Sequence, residues 1–224
     1  MHAAGIDERR GRLAALRTLV AEKFPALRPA PVGRLCTGCA ALDRRGGLAR
    51  GALTEVCGSS GGGQLVLAAV LDMAVREGFF LGLIDGADAL EPADWPPEHL
   101  QRLLWVRCGG SHSALKATDI LMRDGNLPLL LLDLQIVPIA QLRRIPVSTW
   151  HRFHRLLEHS STILLVLTPQ PMVEAAPCRI VVRPGTVGTP ETSGKLWEAS
   201  RAQLLADLEA RIFERGEVDF QISA

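Results

Sequence analysis

A glycine-rich stretch offers the clearest chemistry in this sequence. It consists of Gly58, Ser59, Ser60, Gly61, Gly62, Gly63, Gln64 and Leu65. It follows an apolar run and precedes a helical pattern, and in that setting backbone N–H groups and a helix N-terminus can bind phosphate. The spacing is that of G-x-x-x-x-G-K-[S/T], with Gln64 in the place of the lysine and Leu65 in the place of the hydroxyl that binds magnesium. Only the backbone scaffold of a phosphate-binding loop is present.

The two replaced side chains are the ones that neutralise charge during phosphoryl transfer. Gln64 can donate a neutral hydrogen bond, but it cannot supply a positive charge beside phosphate oxygens. We therefore expect no catalytic residues, no resident cofactor and no more than weak residual nucleotide binding. A tight strand-to-helix turn without any ligand is the alternative interpretation of the loop.

One carboxylate could still take part in magnesium chemistry. Asp133 ends the apolar run Leu129–Leu132, where the Walker B carboxylate of a nucleotide site would lie. A carboxylate at a strand end is common in α/β sheets, so Asp133 alone predicts no metal site.

Strand-like and helix-like stretches alternate around these residues, which predicts an α/β fold with a mostly parallel sheet flanked by helices. We expect one core (31–190) between an N-terminal helix with a proline-rich linker (1–30) and a C-terminal helix with a tail (191–224). The C-terminal helix is predicted over 195–215. The predicted strands are 53–57, 79–85, 103–108, 129–134 and 162–167, with 179–183 as an edge strand, and the predicted helices are 64–77, 113–123 and 148–159.

Composition limits the possible functions. The 224 residues are 47% hydrophobic and 22% charged, with a net charge of +1, so no global positive field attracts nucleic acid. No apolar signal core or bilayer-length apolar run occurs, and we expect a cytoplasmic protein without a membrane partner. The five cysteines fit a reduced compartment, and the CxxC pair Cys36 and Cys39 is expected to be part of a turn.

Four motifs occur in the order found in the RecA ATPase core, which this chain resembles. They are Thr37-Gly38-Cys39-Ala40-Ala41-Leu42-Asp43, Gly46-Gly47-Leu48-Ala49-Arg50-Gly51, the glycine loop, and Leu83-Ile84-Asp85-Gly86-Ala87-Asp88-Ala89-Leu90. The degenerate loop, the short length and the N-terminal helix make the chain similar to ImuA, the RecA-like accessory protein of bacterial mutagenic translesion synthesis.

The resemblance implies a role in the DNA damage response. Its implied partners are an ImuB-like polymerase homologue, an error-prone replicative-type polymerase and RecA itself. Ala87 corresponds by position to the RecA catalytic glutamate, which is a third missing group. The RecA loops that bind DNA correspond to 135–147 and 170–178, and the second is short and contains two prolines. DNA contact of the filament type is therefore not implied.

A basic stretch provides candidate contacts for a partner or for DNA. Trp150, Phe153, Leu156 and Leu157 recur at helical spacing, which indicates a buried face and leaves the arginines in solvent. Trp197, in the predicted C-terminal helix, is a further candidate. The basic candidates are Arg143, Arg144, Arg152 and Arg155.

Of the functions considered, the sequence best supports a non-catalytic adaptor in translesion synthesis. Two other functions stay open at this point. One is a SulA-like inhibitor of cell division, which is also RecA-like without a working phosphate loop. The other is a RecA-type ATPase with a rewired loop, in which Lys116 or Lys195 would supply the missing charge.

Overall fold

The computed structural model describes residues 33–44, 46–58, 62–174, 176–182, 205–206 and 212–213. The predicted N-terminal helix and linker lie outside these ranges. So do Ser59, Ser60 and Gly61 of the glycine loop, Lys195 and Trp197.

Helices and strands alternate as the sequence predicts. The helices α1 to α6 are Ala40–Asp43, Gly62–Glu77, Pro97–Leu100, Ser111–Asp124, Ile139–Leu142 and Val147–Glu158. The strands β1 to β9 are Arg34–Leu35, Leu48–Ala49, Leu53–Cys57, Leu81–Asp85, Leu103–Arg107, Leu129–Asp133, Ile163–Thr168, Cys178–Val182 and Ile212–Phe213. Strands β3 to β8 and the long helices α2, α4 and α6 lie within two residues of the predicted bounds at each end.

Seven strands form one sheet in the order β5-β4-β6-β7-β3-β8-β9. The six strands from β5 to β8 in this order pair in parallel, and β9 is antiparallel to β8. This confirms the predicted mostly parallel α/β sheet, and the architecture is consistent with a RecA-like fold. Since parallel strands end at the same edge, the carboxyl ends of β3, β4 and β6 lie along one edge of the sheet.

Helices cover both faces of the sheet, which is why its central strands are apolar throughout. Along β6, Leu129 and Leu131 pack with α2, whereas Leu130 and Leu132 pack with α4 and α6. Alternate residues of one strand thus belong to two separate hydrophobic clusters. The sheet is rigidly held between them, so the groups at its carboxyl edge have fixed positions.

The predictions for the C-terminal part require two corrections. Ile212 and Phe213 form strand β9, although the helical periodicity of the region placed Ile212 in a helix over 195–215. Strand β8 offers unpaired backbone groups that an extended segment can satisfy, and this tertiary pairing outweighs the local periodicity. As a result β8 lies inside the sheet, and β9 takes the edge position that was predicted for β8.

The segment before β3 contains the three short elements β1, α1 and β2. At its start, the Asp43 carboxylate accepts hydrogen bonds from the N–H groups of Thr37 and Gly38, at 2.8 Å each, and from the Thr37 hydroxyl. Cys36 is exposed, Cys39 is buried, and both are free thiols. The CxxC stretch is thus a turn held by Asp43, as predicted.

No helix within the described ranges is long and apolar enough to cross a membrane.

Candidate functional site

Gly58 follows the end of β3, and Gly62 begins α2, so these described residues flank the glycine loop. Gly58 donates from its N–H to the Thr168 carbonyl oxygen at 3.3 Å. A Cβ atom at Gly58 would lie 2.1 Å from the Val182 carbonyl oxygen. Glycine is therefore required at this position by the close approach of β8, whether or not a phosphate binds.

The two residues that stand in place of the lysine and the hydroxyl differ in solvent exposure. Gln64 is exposed on the first turn of α2. Leu65 is only 3% exposed and packs in the hydrophobic cluster on the α2 face. The position that would bind magnesium is thus filled by an aliphatic side chain directed into the protein interior.

A side chain that the sequence analysis did not single out contacts the loop. A Cβ atom on Gly63 would lie 1.7 Å from Oε1 of Gln135, so the Gln135 carboxamide packs directly against the first turn of α2. Gln135 follows β6, and β7 separates β6 from β3 in the sheet. Only this strand order brings the two residues together, so no local pattern could have identified the contact.

Asp85, at the end of β4, is a buried carboxylate with a structural role. It accepts hydrogen bonds from the N–H groups of Ala87 at 3.3 Å, Ala89 at 3.1 Å and Leu90 at 2.9 Å. The indole N–H of Trp105 lies 3.4 Å from its Oδ2. The loop that carries Ala87, at the place of the missing glutamate, is therefore wrapped around this carboxylate.

Asp133 lies beside Asp85, since the two residues are partners in the register of β6 and β4. Burial raises the pKa of Asp133 to about 6; the N–H of Gln135, which donates to Oδ1 at 2.9 Å, opposes this rise, and the charge of Asp85 adds to it. This edge of the sheet thus carries two neighbouring carboxylates, of which Asp85 is already engaged by backbone N–H groups.

One cation lies next to these carboxylates, since Arg107 on β5 is the register partner of Asp85, but its guanidinium is engaged by Asp88. Lys116 is exposed on α4, on the sheet face opposite α2, and Lys195 lies outside the described part of the chain. Among the described residues, no group of three or more His, Cys, Asp or Glu could hold a metal ion. The described part of the site therefore offers a neutral amide and two carboxylates to a ligand, with Arg107 already paired to Asp88.

The segment 170–178, which the sequence analysis compares with a RecA loop, follows β7, ends at the first residue of β8 and is held by a buried ion pair. Glu55, in the middle of β3, is fully buried and accepts a hydrogen bond from the Arg179 guanidinium. Its other oxygen accepts from the N–H groups of Met172 and Val173 at 2.8 and 3.1 Å. A charged residue inside an apolar strand was the available signal for this network, and the sequence analysis did not use it.

The basic stretch on α6 has the predicted division into a buried and an exposed face. Trp150, Phe153 and Leu157 are buried, and the rings of Trp150 and Phe153 meet edge to face at 6.0 Å. The guanidinium of Arg152 lies 3.2 Å from the Asp119 carboxylate, while Arg155 is exposed. The structure confirms the aromatic residues as core, so the arginines form a solvated surface.

The sequence matches no protein-family model and no curated protein.

Proposed function

We propose that this chain is a non-catalytic RecA-like adaptor of the DNA damage response. It works in the cytoplasm and binds an ImuB-like polymerase homologue, RecA or both during error-prone translesion synthesis, alongside an error-prone replicative-type polymerase. The α/β sheet supplies a rigid frame, and the surface around it supplies the contacts. The burial of Leu65 in the hydrophobic core is the observation that carries the non-catalytic part of the proposal.

The position of Leu65 supports this because it is the position from which a hydroxyl would bind magnesium. A hydroxyl at this position would have to replace the buried Leu65 side chain. Truncating a buried leucine typically lowers the free energy of unfolding by about 2–5 kcal/mol. Gln64 beside it is exposed and neutral, so the β- and γ-phosphates of ATP would meet no cation there.

The packing of Gln135 against Gly63 supports the proposal independently. The carboxamide occupies space at the first turn of α2, where the backbone N–H groups of a phosphate loop would meet their ligand. A bound phosphate would have to displace it.

Titration calorimetry with magnesium-ATP tests the non-catalytic part. We expect no measurable heat of binding and no release of phosphate by the purified full chain. The variants Gln64→Ala and Gln101→Ala form a matched pair, since both truncate an exposed glutamine but only the first lies at the loop. A micromolar Kd, or ATP turnover that Gln64→Ala abolishes and Gln101→Ala does not, would overturn the proposal and favour a rewired ATPase.

Capture experiments with purified proteins test the adaptor role. We expect the immobilised full chain to retain an ImuB-like polymerase homologue or RecA from the organism that encodes it. Retention of a tubulin-like division protein, with no retention of the polymerase homologue or RecA, would instead favour an inhibitor of cell division.

A further inference from the structure

The segment 136–147, which follows β6 and ends at the first residue of α6, exposes an unusual share of apolar surface. Six large apolar side chains are exposed among the described residues, and three of them lie in this segment. They are Ile136, which is 66% exposed, Ile139 at 36% and Val147 at 41%. Single exposed apolar side chains are ordinary, but here half of those exposed among the described residues fall within twelve positions.

The same segment is anchored to the protein at several points. The N–H of Val137 donates to the Leu134 carbonyl oxygen at 3.2 Å, and the Gln141 carboxamide accepts from the Ser111 N–H at 3.4 Å. Leu142 is buried in the cluster formed with α4 and α6. The exposed isoleucines are therefore presented on a fixed backbone and would lose little backbone entropy on contact with a partner.

Two positive charges accompany the apolar side chains. Arg143 and Arg144 are both exposed, and neither forms an ion pair with any residue that the structure describes. The stretch 135–159, which includes them, contains four arginines and one glutamate, although the whole chain carries a net charge of only +1. Arg152 is paired with Asp119, whereas the protein does not neutralise Arg143 and Arg144, which give this surface a local positive field.

The combination favours an acidic protein segment over a nucleic acid. Binding of a single strand relies on aromatic side chains that stack on bases, and the aromatic residues of this region, Trp150 and Phe153, are buried. Exposed isoleucine and valine side chains add nothing to a contact with phosphates. They do match the aliphatic or aromatic side chains of a peptide whose acidic residues face the two arginines.

We propose that Ile136, Ile139, Arg143, Arg144 and Val147 form a docking surface for an acidic, apolar segment of a partner protein. This inference rests on the proposed adaptor function, for which it names the contacting surface and the chemistry of the partner segment. Apolar contacts anchor the segment, and the arginines select it by charge.

Selection of random peptides displayed on phage against the purified full chain tests the surface directly. We expect the enriched peptides to combine Asp or Glu with large apolar residues. Arg143→Gln/Arg144→Gln should weaken their binding about five- to tenfold at low salt, and Ile136→Ala/Ile139→Ala about tenfold, as measured by fluorescence anisotropy. Each variant changes exposed side chains, so the thermal midpoint should stay at the wild-type value.

Two matched variants control for charge and for apolar truncation. Arg76→Gln/Arg123→Gln removes the same number of positive charges elsewhere, and Ile120→Ala truncates an isoleucine that is also exposed. Both should change peptide affinity less than about twofold.

The proposal is overturned if no peptide is enriched, if the enriched peptides are not acidic, or if the surface variants bind them as the controls do. It is also overturned if a single-stranded oligonucleotide binds with micromolar affinity and Arg143→Gln/Arg144→Gln abolishes that binding. The selection needs no polymerase, so it can succeed where the capture experiment fails. The two proposals can therefore be refuted separately.

Discussion

Replacement of Arg179 by methionine tests the buried ion pair that joins β3 to β8. The Glu55 side chain has no solvent exposure, and one of its oxygens faces the Arg179 guanidinium. The other accepts hydrogen bonds from the Thr168 hydroxyl at 2.9 Å and from the N–H groups of Met172 and Val173. Arg179→Met keeps an unbranched apolar stem but removes the guanidinium, so it leaves a buried carboxylate without its cation.

Removing one partner of a buried ion pair typically destabilises a protein by about 3–5 kcal/mol. The Arg179 side chain is 20% exposed, so solvent screens part of the interaction, and we expect the lower value of about 3 kcal/mol. For a chain of this size, that loss lowers the thermal midpoint by about 6–12 °C.

Urea denaturation followed by circular dichroism measures this loss. Arg107→Met is a matched control, because Arg107 also forms a two-pronged ion pair, with Asp88, but on the exposed surface. The control should leave the midpoint almost unchanged. Glu55→Gln/Arg179→Met should be more stable than Arg179→Met alone, since the amide oxygen still accepts hydrogen bonds without carrying a charge. A loss below about 1 kcal/mol for Arg179→Met, or one no greater than that of the control, would refute the reasoning.

Asp133 and the loop glycines provide two further predictions. The folded-state pKa of Asp133, about 6, lies above its unfolded value, so wild-type stability should fall by about 2–3 kcal/mol between pH 4 and 6.5 relative to Asp133→Asn. Denaturation across this range checks it, and a difference that does not change with pH would contradict it. Gly58→Ala should cost about 2 kcal/mol or more because its Cβ would meet the Val182 backbone, whereas Gly63→Ala should cost under about 1 kcal/mol because the flexible Gln135 side chain can move. Equal losses in urea denaturation would show that the Val182 backbone yields as easily as the Gln135 side chain.

The sequence alone determined the type and approximate bounds of the main elements. Continuous apolar runs such as Leu129–Leu132 can be buried only between two layers, and the amphipathic pattern around Trp150 and Phe153 has one face for the core. The degenerate phosphate loop was also recognisable, because the spacing from Gly58 and Gly63 shows which motif positions Gln64 and Leu65 occupy. These features depend on near neighbours along the chain, so local patterns carry them.

Tertiary structure decided every feature that depends on which strands are neighbours. The contact of Gln135 with Gly63, the pairing of Asp85 with Asp133 and the Glu55 ion pair all join segments far apart in sequence. At the C-terminus, pairing with β8 made Ile212 part of a strand, against its local periodicity. Hydrophobic patterns select the face that a residue buries, but the order of parallel strands follows from the packing of the whole sheet, which no single window of sequence encodes.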